Sequence, residues 1–217
     1  MLLTGFEGYG GRGLNPAAEV VRALDGETVA GVRVTGAILP VSYATLRDNL
    51  TEQVRSHRPR GVICLGLWPG EPVIRLERFG MNLNDFEIPD NAGAVEHGPI
   101  EPDGPATRVA TLPVEAIQNR LLAADIPARA SSTAGNFLCN ATLYTALGIV
   151  EREAPGTPCG FIHVPYLPAQ VAEMIAGIRD EQTLELHQRA DLASMALETT
   201  VAAIRIAIET TLEGAAA

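Results

Sequence analysis

Short apolar runs alternate along this chain with longer segments in which apolar residues recur at helical spacing. The runs have the length and boundaries of buried strands, and they cover residues 1–6, 33–39, 61–66, 77–84, 107–112, 128–131 and 159–164. The longer segments predict helices at 16–24, 43–58, 114–124, 137–152 and about 183–212, the last with Gly214 as a stop signal. This alternation predicts an α/β fold in which helices cover the faces of a sheet.

The segment 85–105 does not fit this scheme. It reads DFEIPDNAGAVEHGPIEPDGP and mixes proline, glycine, asparagine and acidic residues without periodicity. A loop of this length inside a compact domain is often functional or mobile. We therefore expect a long loop at about 85–105 and treat it as a candidate functional segment.

Length and composition favour one domain. The chain has 217 residues, of which 47% are hydrophobic, so it can bury a sizeable core, and we expect a single domain spanning 1–217. The net charge of −10 and the scattered basic residues oppose binding to nucleic acid or to anionic membranes. No apolar stretch approaches the roughly 20 residues that span a bilayer, and Met1 opens on a strand-like run rather than a secretion signal. We expect a cytoplasmic protein.

The three cysteines are Cys64, Cys139 and Cys159, an odd number without CxxC spacing. This pattern argues against a disulfide framework and against a structural zinc site, so we expect no metal site. Free thiols are typical of a reducing compartment.

The stretch GYGGRG places Gly8, Gly10 and Gly13 at the G-x-G-x-x-G spacing of dinucleotide-binding loops. The following helix, however, is predicted to begin at Pro16 with Asn15 as its N-cap, which leaves Gly13 outside it. No acidic residue stands at the end of the second strand to bind a ribose. The spacing alone is therefore weak support for a nucleotide site.

Two aromatic residues of the same region, Phe6 and Tyr9, indicate another use. They lie at the carboxyl end of the first strand, where α/β sheets open their ligand crevices, in a chain with only 5% aromatic residues. We predict that they line an apolar pocket.

Cys139 and His163 are the candidates for nucleophilic catalysis. With Asn136 as helix cap, Cys139 is the third residue of its helix, where the macrodipole and free amides favour a thiolate. His163 lies near the end of a strand stopped by Pro165, at the rim where catalytic groups collect. A packed thiol and a hydrogen-bonded structural histidine are the alternative interpretations.

Glu77 is the candidate third member of this group. It falls on the same face of the predicted 77–84 strand as the odd-numbered apolar residues up to Leu83. A buried carboxylate requires hydrogen bonds or a cation, and an imidazole held in one orientation is a suitable partner. A glutamate in solvent, or one paired with Arg75 or Arg78, is the alternative.

Five blocks of the sequence occur in the order and spacing of one known family. TGFEGYGGRGLNP is similar to a T-G-F-x-x-F-G-G…N-P start, and ERFGMNLNDFEIPDN is similar to an E-R-x-A-x-N…I-P-D-N segment. STAGNFLCN, GFIHVPYLP and SMALETTVAAIRIAIE are similar to a cysteine block, a histidine block and a closing helix. Over nearly its whole length, the chain resembles the type I, cysteine-dependent pyroglutamyl peptidases, or pyrrolidone carboxyl peptidases.

The resemblance implies hydrolysis of the amide bond after an N-terminal pyroglutamyl residue of a peptide, without metal or cofactor. It implies Cys139 as the nucleophile, His163 as general base and acid, and Glu77 as the group that orients the imidazole. It also implies a three-layer α/β/α sandwich with an open, twisted, mostly parallel mixed sheet. We therefore expect pyroglutamylated peptides as partners and a homo-oligomer, either a tetramer or a dimer.

A pyroglutamyl ring is a flat, uncharged lactam, so its pocket is expected to combine apolar walls with a few backbone hydrogen bonds. By motif position, the substrate-binding residues are predicted to be Phe6, Tyr9, Asn15, Leu67, Phe137 and Leu138, with Asn15 bracing the loop. Backbone amides at the start of the cysteine-bearing helix are the predicted oxyanion donors.

Three residues depart from the family pattern. Leu67 stands where a glutamine is usual, Leu76 replaces a proline before Glu77, and Glu87 stands where an arginine precedes I-P-D-N. The reversed charge at Glu87 predicts weaker oxyanion support or altered specificity. Two alternatives therefore stay open: a cysteine hydrolase of the same fold acting on another amide, and a non-catalytic pyroglutamyl-binding protein.

Overall fold

The computed structural model describes residues 1–181 and 192–214 of the chain. Its strands are β1 (Leu2–Phe6), β2 (Thr28–Val29), β3 (Val32–Arg33), β4 (Thr35–Leu39), β5 (Val62–Leu67), β6 (Ile74–Glu77), β7 (Phe79–Met81), β8 (Asn84–Asp85), β9 (His97–Gly98), β10 (Thr107–Val109), β11 (Ala128–Ser131) and β12 (Cys159–Val164). Its helices are α1 (Pro16–Leu24), α2 (Tyr43–His57), α3 (Val114–Ala123), α4 (Leu138–Glu153), α5 (Pro168–Glu181) and α6 (Leu197–Gly214).

One mixed sheet of six strands lies at the centre, in the order β11, β6, β12, β5, β1, β4. The four strands from β12 to β4 run parallel, whereas β6 and β11 run parallel to each other and antiparallel to β12. Helices cover both faces, and the core residues of the sheet divide between them. The predicted three-layer sandwich with a mostly parallel mixed sheet is confirmed.

Strand alternation provides each face of the sheet with its own core. In β5, Val62 and Cys64 pack on the face covered by α2 and α4, whereas Ile63 and Leu65 pack on the face covered by α1, α3 and α6. This double burial explains the continuous apolar run of β5. Full burial of one such leucine or isoleucine contributes roughly 1.5–3 kcal/mol.

The chain connections locate a crevice between β1 and β5. From β1 the chain passes through α1 to β4 on one side, and α2 then returns it to β5 on the other side of β1. In open α/β sheets, ligands bind at the carboxyl ends of the strands beside such a switch point. Phe6 and Leu67 are the last residues of β1 and β5, so both lie at this edge.

The helix predicted at 16–24 is confirmed with its cap. Pro16 is its first residue, and the Asn15 side chain accepts a hydrogen bond from the backbone N–H of Ala17 at 3.0 Å. Gly10 and Gly11, in the preceding loop, take φ values of 63° and 77°, which glycine adopts without steric strain. These contacts are local in sequence, which is why the helix start was predictable.

The strand predicted at 77–84 is wrong, because the chain leaves the central sheet after Glu77. β7 then pairs with β10, and β8 pairs with β9. The predicted faces fail as well, since Leu83 is 41% exposed and Asn84 only 3%. Gly80 lies against α4, where an added Cβ would come within 2.8 Å of the backbone nitrogen of Tyr144. The strand predicted at 33–39 also divides, into part of the β2–β3 hairpin and β4.

The C-terminal third differs from the prediction in two ways. α5 was not predicted, although Val171, Met174, Ile175 and Ile178 recur in its sequence at helical spacing. The helix predicted at about 183–212 begins only at Leu197, and residues 182–191 lie outside the described residues. Met195 precedes α6 and is buried in the core, and α6 ends at Gly214. None of the helices in the described ranges is long and apolar enough to cross a membrane.

The long segment at 85–105 is tied to the rest of the molecule by polar contacts. The Asp90 carboxylate accepts three backbone N–H groups at 2.8–2.9 Å, one of them from Tyr43 at the start of α2. Asn91 donates its side-chain amide to the backbone oxygen of Gly8 at 2.9 Å. The segment therefore lies beside the β1–α1 loop, and Ile88 reaches the wall of the crevice.

Candidate active site

A pocket of about 290 Å³ opens at the carboxyl ends of β1, β5 and β12, with mostly apolar walls. Its lining consists of Phe6, Tyr9, Asn15, Val41, Leu67, Trp68, Pro69, Ile88, Ala134, Gly135, Asn136, Phe137, Leu138, Cys139 and His163. All the predicted substrate-binding residues lie on this wall, together with Cys139 and His163. The remaining predicted residue, Glu77, lies behind His163 and bonds to it.

His163 is held by Glu77. Its Nδ1–H donates to Glu77 Oε1 at 2.9 Å, and the two side chains are 1% and 0% exposed. Antiparallel pairing of β12 with β6 places Glu77 opposite Phe161, diagonally next to His163 on the same face. The bond at Nδ1 leaves Nε2 as the ring nitrogen available for proton transfer.

Burial sets the charge states of this pair. Burial lowers the pKa of His163 below its usual value, although the hydrogen bond and charge of Glu77 act in the opposite direction. Burial alone would raise the pKa of Glu77, but the hydrogen bond and charge of His163 and the charge of Arg75 outweigh it and lower that pKa. At neutral pH, the site therefore holds a neutral imidazole and a carboxylate.

The predicted imidazole partner and the alternative pairing with Arg75 are both real contacts of Glu77, whereas a glutamate in solvent is wrong because Glu77 is fully buried. The Oε1 atom that accepts the His163 bond also accepts from Arg75 Nε at 3.1 Å. Arg78 bonds instead to the backbone oxygen of Ser131 and to the side chain of Ser132. Glu77 is thus an imidazole partner and one half of a buried ion pair at once.

Cys139 lies in the first turn of α4, one position earlier in the helix than predicted. The predicted cap Asn136 is wrong: Phe137 is the N-cap, without a side-chain hydrogen bond, and Leu138 is the first helical residue. The Asn136 side chain instead donates to Glu87 Oε1 at 3.3 Å. Because no side chain caps α4, the backbone N–H groups of its first turn stay available to an anion.

The thiol of Cys139 is protonated in this environment. Burial raises the pKa of the Cys139 thiol to about 12, and the negative charge of Glu77 adds to the rise. Burial and the charge of Glu77 both act against the resting thiolate expected from the helix start, and the raised pKa favours the neutral thiol. The resting pair is a neutral thiol and a neutral imidazole, so proton transfer has to accompany nucleophilic attack.

Aromatic rings form part of the pocket wall. The Tyr9 and Phe137 ring centroids are 5.6 Å apart, and Phe86 packs behind Phe137 at 4.5 Å. Asn15 donates its side-chain amide to the backbone oxygen of Glu7 at 2.8 Å, in addition to capping α1. This bond braces the loop that carries Tyr9, as predicted for Asn15.

Sequence reasoning assigned no role to Gly66 or Trp68, and it named Arg75 only as an alternative partner of Glu77. A Cβ at Gly66 would lie 2.8 Å from Cys139 Sγ, so glycine leaves room for the thiol. The Trp68 ring lies 5.0 Å from the His163 ring, and the Arg75 guanidinium lies 3.6 Å over the Trp68 centroid. Period-two alternation was the available signal for Arg75, which shares the strand and face of Glu77.

The three departures from the family pattern have different surroundings. Leu76 is 1% exposed and packs in the core on the opposite face of the sheet from His163. Leu67 adds an apolar side chain to the pocket wall, and Glu87 is exposed beside Asn136 at the pocket rim. In the described part of the chain, no group of three His, Cys, Asp or Glu side chains is placed to hold a metal ion.

The chain is similar to known proteins over nearly its full length. A family model described as pyroglutamyl peptidase matches residues 1–214. The pyrrolidone-carboxylate peptidase of Chromobacterium violaceum is 39% identical over 213 residues, covering 98% of this chain and 92% of that protein. The pyrrolidone-carboxylate peptidase of Pyrococcus furiosus is 35% identical over 214 residues, with 98% of each chain covered.

The fold is similar as well. An X-ray structure of pyrrolidone carboxyl peptidase from Pyrococcus furiosus, determined along with its Cys-free mutant, superimposes with a TM-score of 0.89 at 35% identity. The superposition covers 99% of this chain and 98% of that chain. Because the family match and the structural likeness both extend over almost all residues, the chain belongs to the pyroglutamyl peptidase family.

Proposed function

We propose that this protein is a cysteine peptidase that removes an N-terminal pyroglutamyl residue from peptides through a thioester intermediate. The observation that carries the proposal is the His163–Glu77 bond of 2.9 Å beside an apolar pocket that also contains Cys139. A nucleophile, a base and a group that orients the base are the parts that covalent amide hydrolysis requires.

In the acylation step, Cys139 Sγ attacks the carbonyl carbon of the pyroglutamyl residue while its proton passes to His163 Nε2. The new S–C bond forms as the carbonyl oxygen becomes an oxyanion, which the free amides at the start of α4 stabilise. The C–N bond then breaks, and His163 gives its proton to the departing amine. Glu77 stabilises the imidazolium that forms between these two proton transfers.

Deacylation reverses the roles with water as nucleophile. His163 Nε2 takes a proton from water, the hydroxide attacks the thioester carbon, and the C–S bond breaks. The proton returns to the sulfur, which regenerates the neutral Cys139 thiol and releases free pyroglutamate. The raised pKa of Cys139 favours this return of the proton.

The pocket wall supports the choice of substrate. Ordinary aminopeptidases hold a charged α-amine with carboxylates, whereas a pyroglutamyl ring has no free amine. Among the described residues that line this pocket, none is an aspartate or a glutamate. The rings of Phe6, Tyr9 and Phe137 and the side chain of Leu138 provide apolar surface for a flat, uncharged lactam.

A pyroglutamyl-arylamide assay tests the proposal. We expect the purified, reduced protein to release the arylamine, to lose this activity on thiol alkylation and to keep it in the presence of chelators. Alanine-arylamide, which carries a free α-amine, is the matched control and should not be cleaved. Folded, reduced protein that fails to cleave the pyroglutamyl substrate would reject the assignment. Tight binding of pyroglutamate without turnover would support the binding-protein alternative.

Gly66 provides a second test, because its lack of a side chain makes room for the nucleophile. We expect Gly66→Ala to lower kcat/KM roughly 100-fold, the scale of an ångström-sized misplacement of reacting groups. The new methyl group would lie 2.8 Å from Cys139 Sγ and 2.7 Å from the Phe161 ring, so the thiol or the ring has to move. Steady-state kinetics measure the loss, and the rate of thiol alkylation reports the displaced sulfur.

Gly13→Ala is the control for this experiment. An added Cβ at Gly13 would meet no atom within 4 Å, so activity should stay close to that of the wild type. A Gly66→Ala protein with wild-type kcat/KM would mean that the close approach to Cys139 has no catalytic consequence.

The proposal also covers the cellular compartment, the assembly state and the domain organisation of the enzyme. Cys64, Cys139 and Cys159 are free thiols, which suits action in the reducing cytoplasm. We also propose a homo-oligomer, a tetramer or a dimer, as the family resemblance implies. A single domain spanning 1–217 fits the way in which β1 at one end and α6 at the other pack on the same sheet.

A further inference from the structure

We propose that Arg75 is a positioning residue, which holds the Glu77 carboxylate aligned with His163 while Trp68 holds the guanidinium in place. The proposal deepens the proposed function and rests on it for its kinetic readout. Arg75 is not among the described residues that line the pocket, and it acts through Glu77.

The strand register brings Arg75 to the catalytic face. β6 runs antiparallel to β12, with Arg75 directly opposite His163. Directly opposed residues project from the same face of a sheet, and Glu77 follows two positions later on that face. Leu76 lies between these two residues and Ile74 lies before them, and both pack in the core on the other face. A cation inside this buried strand therefore lies next to the catalytic pair.

Arg75 is buried with its charge fully engaged. The side chain is 6% exposed, and its Nε and Nη1 atoms donate to Glu77 Oε1 and Glu71 Oε2, both at 3.1 Å. Its Nη2 donates to Ser131 Oγ at 2.7 Å and to the backbone oxygen of Thr133 at 2.9 Å. A buried arginine is stable only with such partners, and the same bonds fix the guanidinium plane.

The bond to Glu77 determines how that carboxylate meets His163. Glu77 Oε1 accepts from both Arg75 Nε and His163 Nδ1, whereas the buried Oε2 has no hydrogen-bond partner among the described residues. Two donors on one oxygen hold the Glu77 carboxylate in a single orientation. Without Arg75, the carboxylate would stay buried and lose one of the two described donors on Oε1, which weakens its orientation towards His163.

Trp68 provides the platform for Arg75. The guanidinium carbon lies 3.6 Å from the centroid of the Trp68 ring, and the His163 ring meets the same indole edge-to-face at 5.0 Å. Trp68 also lines the pocket, so it lies in contact with the pocket space, the imidazole and the guanidinium. An arginine stacked on an aromatic face is held by cation–π attraction, which is strongest away from water.

The charges around His163 predict the sign of the pH effect. The charged groups that act on it are Glu77 and Arg75 on β6 and Glu71 before that strand. Of the thiols, Cys139 on α4 lines the same pocket, and Cys64 on β5 is a diagonal neighbour in the sheet. Burial is the main cause of the lowered pKa of His163, and the positive charge of Arg75 lowers it further, whereas Glu77 and Glu71 raise it. Removing Arg75 therefore raises the pKa of His163. The His163 imidazole has to be neutral to act as the base. On acidification, a protein without Arg75 would therefore lose activity at a higher pH than the wild type does.

The test compares Arg75→Met with Arg129→Met in kinetics across pH. Arg129 donates to both oxygens of the same Glu71 carboxylate, at 3.2 Å to Oε1 and 2.8 Å to Oε2, but it is 54% exposed and does not bond to Glu77. For Arg75→Met we expect kcat to fall roughly 10- to 100-fold at nearly unchanged KM, the scale of losing a partner that orients a histidine. The acid limb of kcat/KM should move to higher pH. Arg129→Met should show neither change.

Arg75→Lys separates charge from geometry and guards against misfolding. It keeps the positive charge, so the acid limb should return towards the wild-type position, while kcat recovers only in part because lysine lacks the planar fork. If Arg75→Met does not fold, the proposal requires Arg75→Lys to have a reduced kcat at unchanged KM. Wild-type kcat and an unmoved acid limb in a folded Arg75→Met protein would overturn it.

A readout without substrate distinguishes failure of this proposal from failure of the proposed function. In ¹⁵N-histidine-labelled protein, NMR titration reports the pKa and tautomer of His163, which a His163→Gln protein assigns. We expect Arg75→Met to raise the His163 pKa even if the wild-type protein cleaves no pyroglutamyl substrate. An unchanged His163 titration would refute the positioning role, whatever the assay of activity shows.

Discussion

Cys139→Ala lowers turnover of a pyroglutamyl-arylamide to the background rate, the largest effect expected of any single substitution in this chain. Cys139 provides the only sulfur among the described residues that line the pocket, so the variant leaves His163 without a thiol there to deprotonate. Removal of a nucleophile that acts as a unit with its base typically costs on the order of 10⁶-fold in kcat. Single-turnover measurements of arylamine release test this, and mass spectrometry after mixing with substrate should detect an acyl adduct only in protein that retains Cys139.

Cys64→Ala and Cys159→Ala are the matched controls. Both thiols are fully buried in the core on the same face of the sheet, and neither belongs to the described pocket lining, so neither is placed to attack a bound substrate in the folded protein. We expect both variants to keep turnover and to lose some stability through the small cavities they create. If Cys139→Ala stayed active and Cys64→Ala did not, the assignment of Cys139 as the nucleophile would be wrong.

Glu77→Gln is expected to lower kcat roughly 10²- to 10⁴-fold and to leave measurable activity, because the role of Glu77 is orientation and charge stabilisation. A glutamine can turn its NH₂ towards Nδ1 and so favour the tautomer with the proton on Nε2, where the base has to accept one. The variant also leaves Arg75 buried with one anionic partner fewer, which lowers the free energy of unfolding. Kinetics and denaturant unfolding of the same preparation separate these two losses.

The pH dependence provides the sharper check on this variant. The charge of Glu77 raises the pKa of His163, so its removal lowers that pKa and moves the acid limb of the residual activity to lower pH. This direction is opposite to the one expected for Arg75→Met. If the acid limbs of Glu77→Gln and Arg75→Met moved in the same direction, this would contradict the electrostatic account of the site. A Glu77→Gln protein with wild-type kcat would show that His163 needs no orienting partner.

Features that depend on neighbours in sequence were predictable for this chain. The start of α1 follows from the capping bond of Asn15 and the fixed backbone of Pro16, and the structure places both as expected. β5 and β12 were recognised because a strand buried on both faces is a short continuous apolar run. Motif positions also identified Cys139 and His163 as catalytic candidates, since each lies in a block that resembles the same family.

Features that depend on the path of the chain between sheets were not predictable. ERFGMNLN has the alternation of one strand, yet β6 ends at Glu77 and β7 pairs with β10. The reason lies in α4: Asn140 bonds to both backbone groups of Met81, which pulls this segment away from the central sheet. The prediction of Asn136 as the N-cap of α4 was wrong for a similar reason, because its side chain bonds to Glu87, 49 residues earlier.

By itself, the sequence determined the α/β class, the starts of locally capped helices and the ordered blocks that carry a cysteine, a histidine and a glutamate. Only the tertiary structure decided how these groups meet. Glu77 and His163 are 86 residues apart, and their contact exists because β6 pairs antiparallel with β12 in one register. That register also places Arg75 beside them, and burial keeps the Cys139 thiol protonated. Register and burial are set by packing of the whole sheet between its two helical layers, which no local pattern encodes.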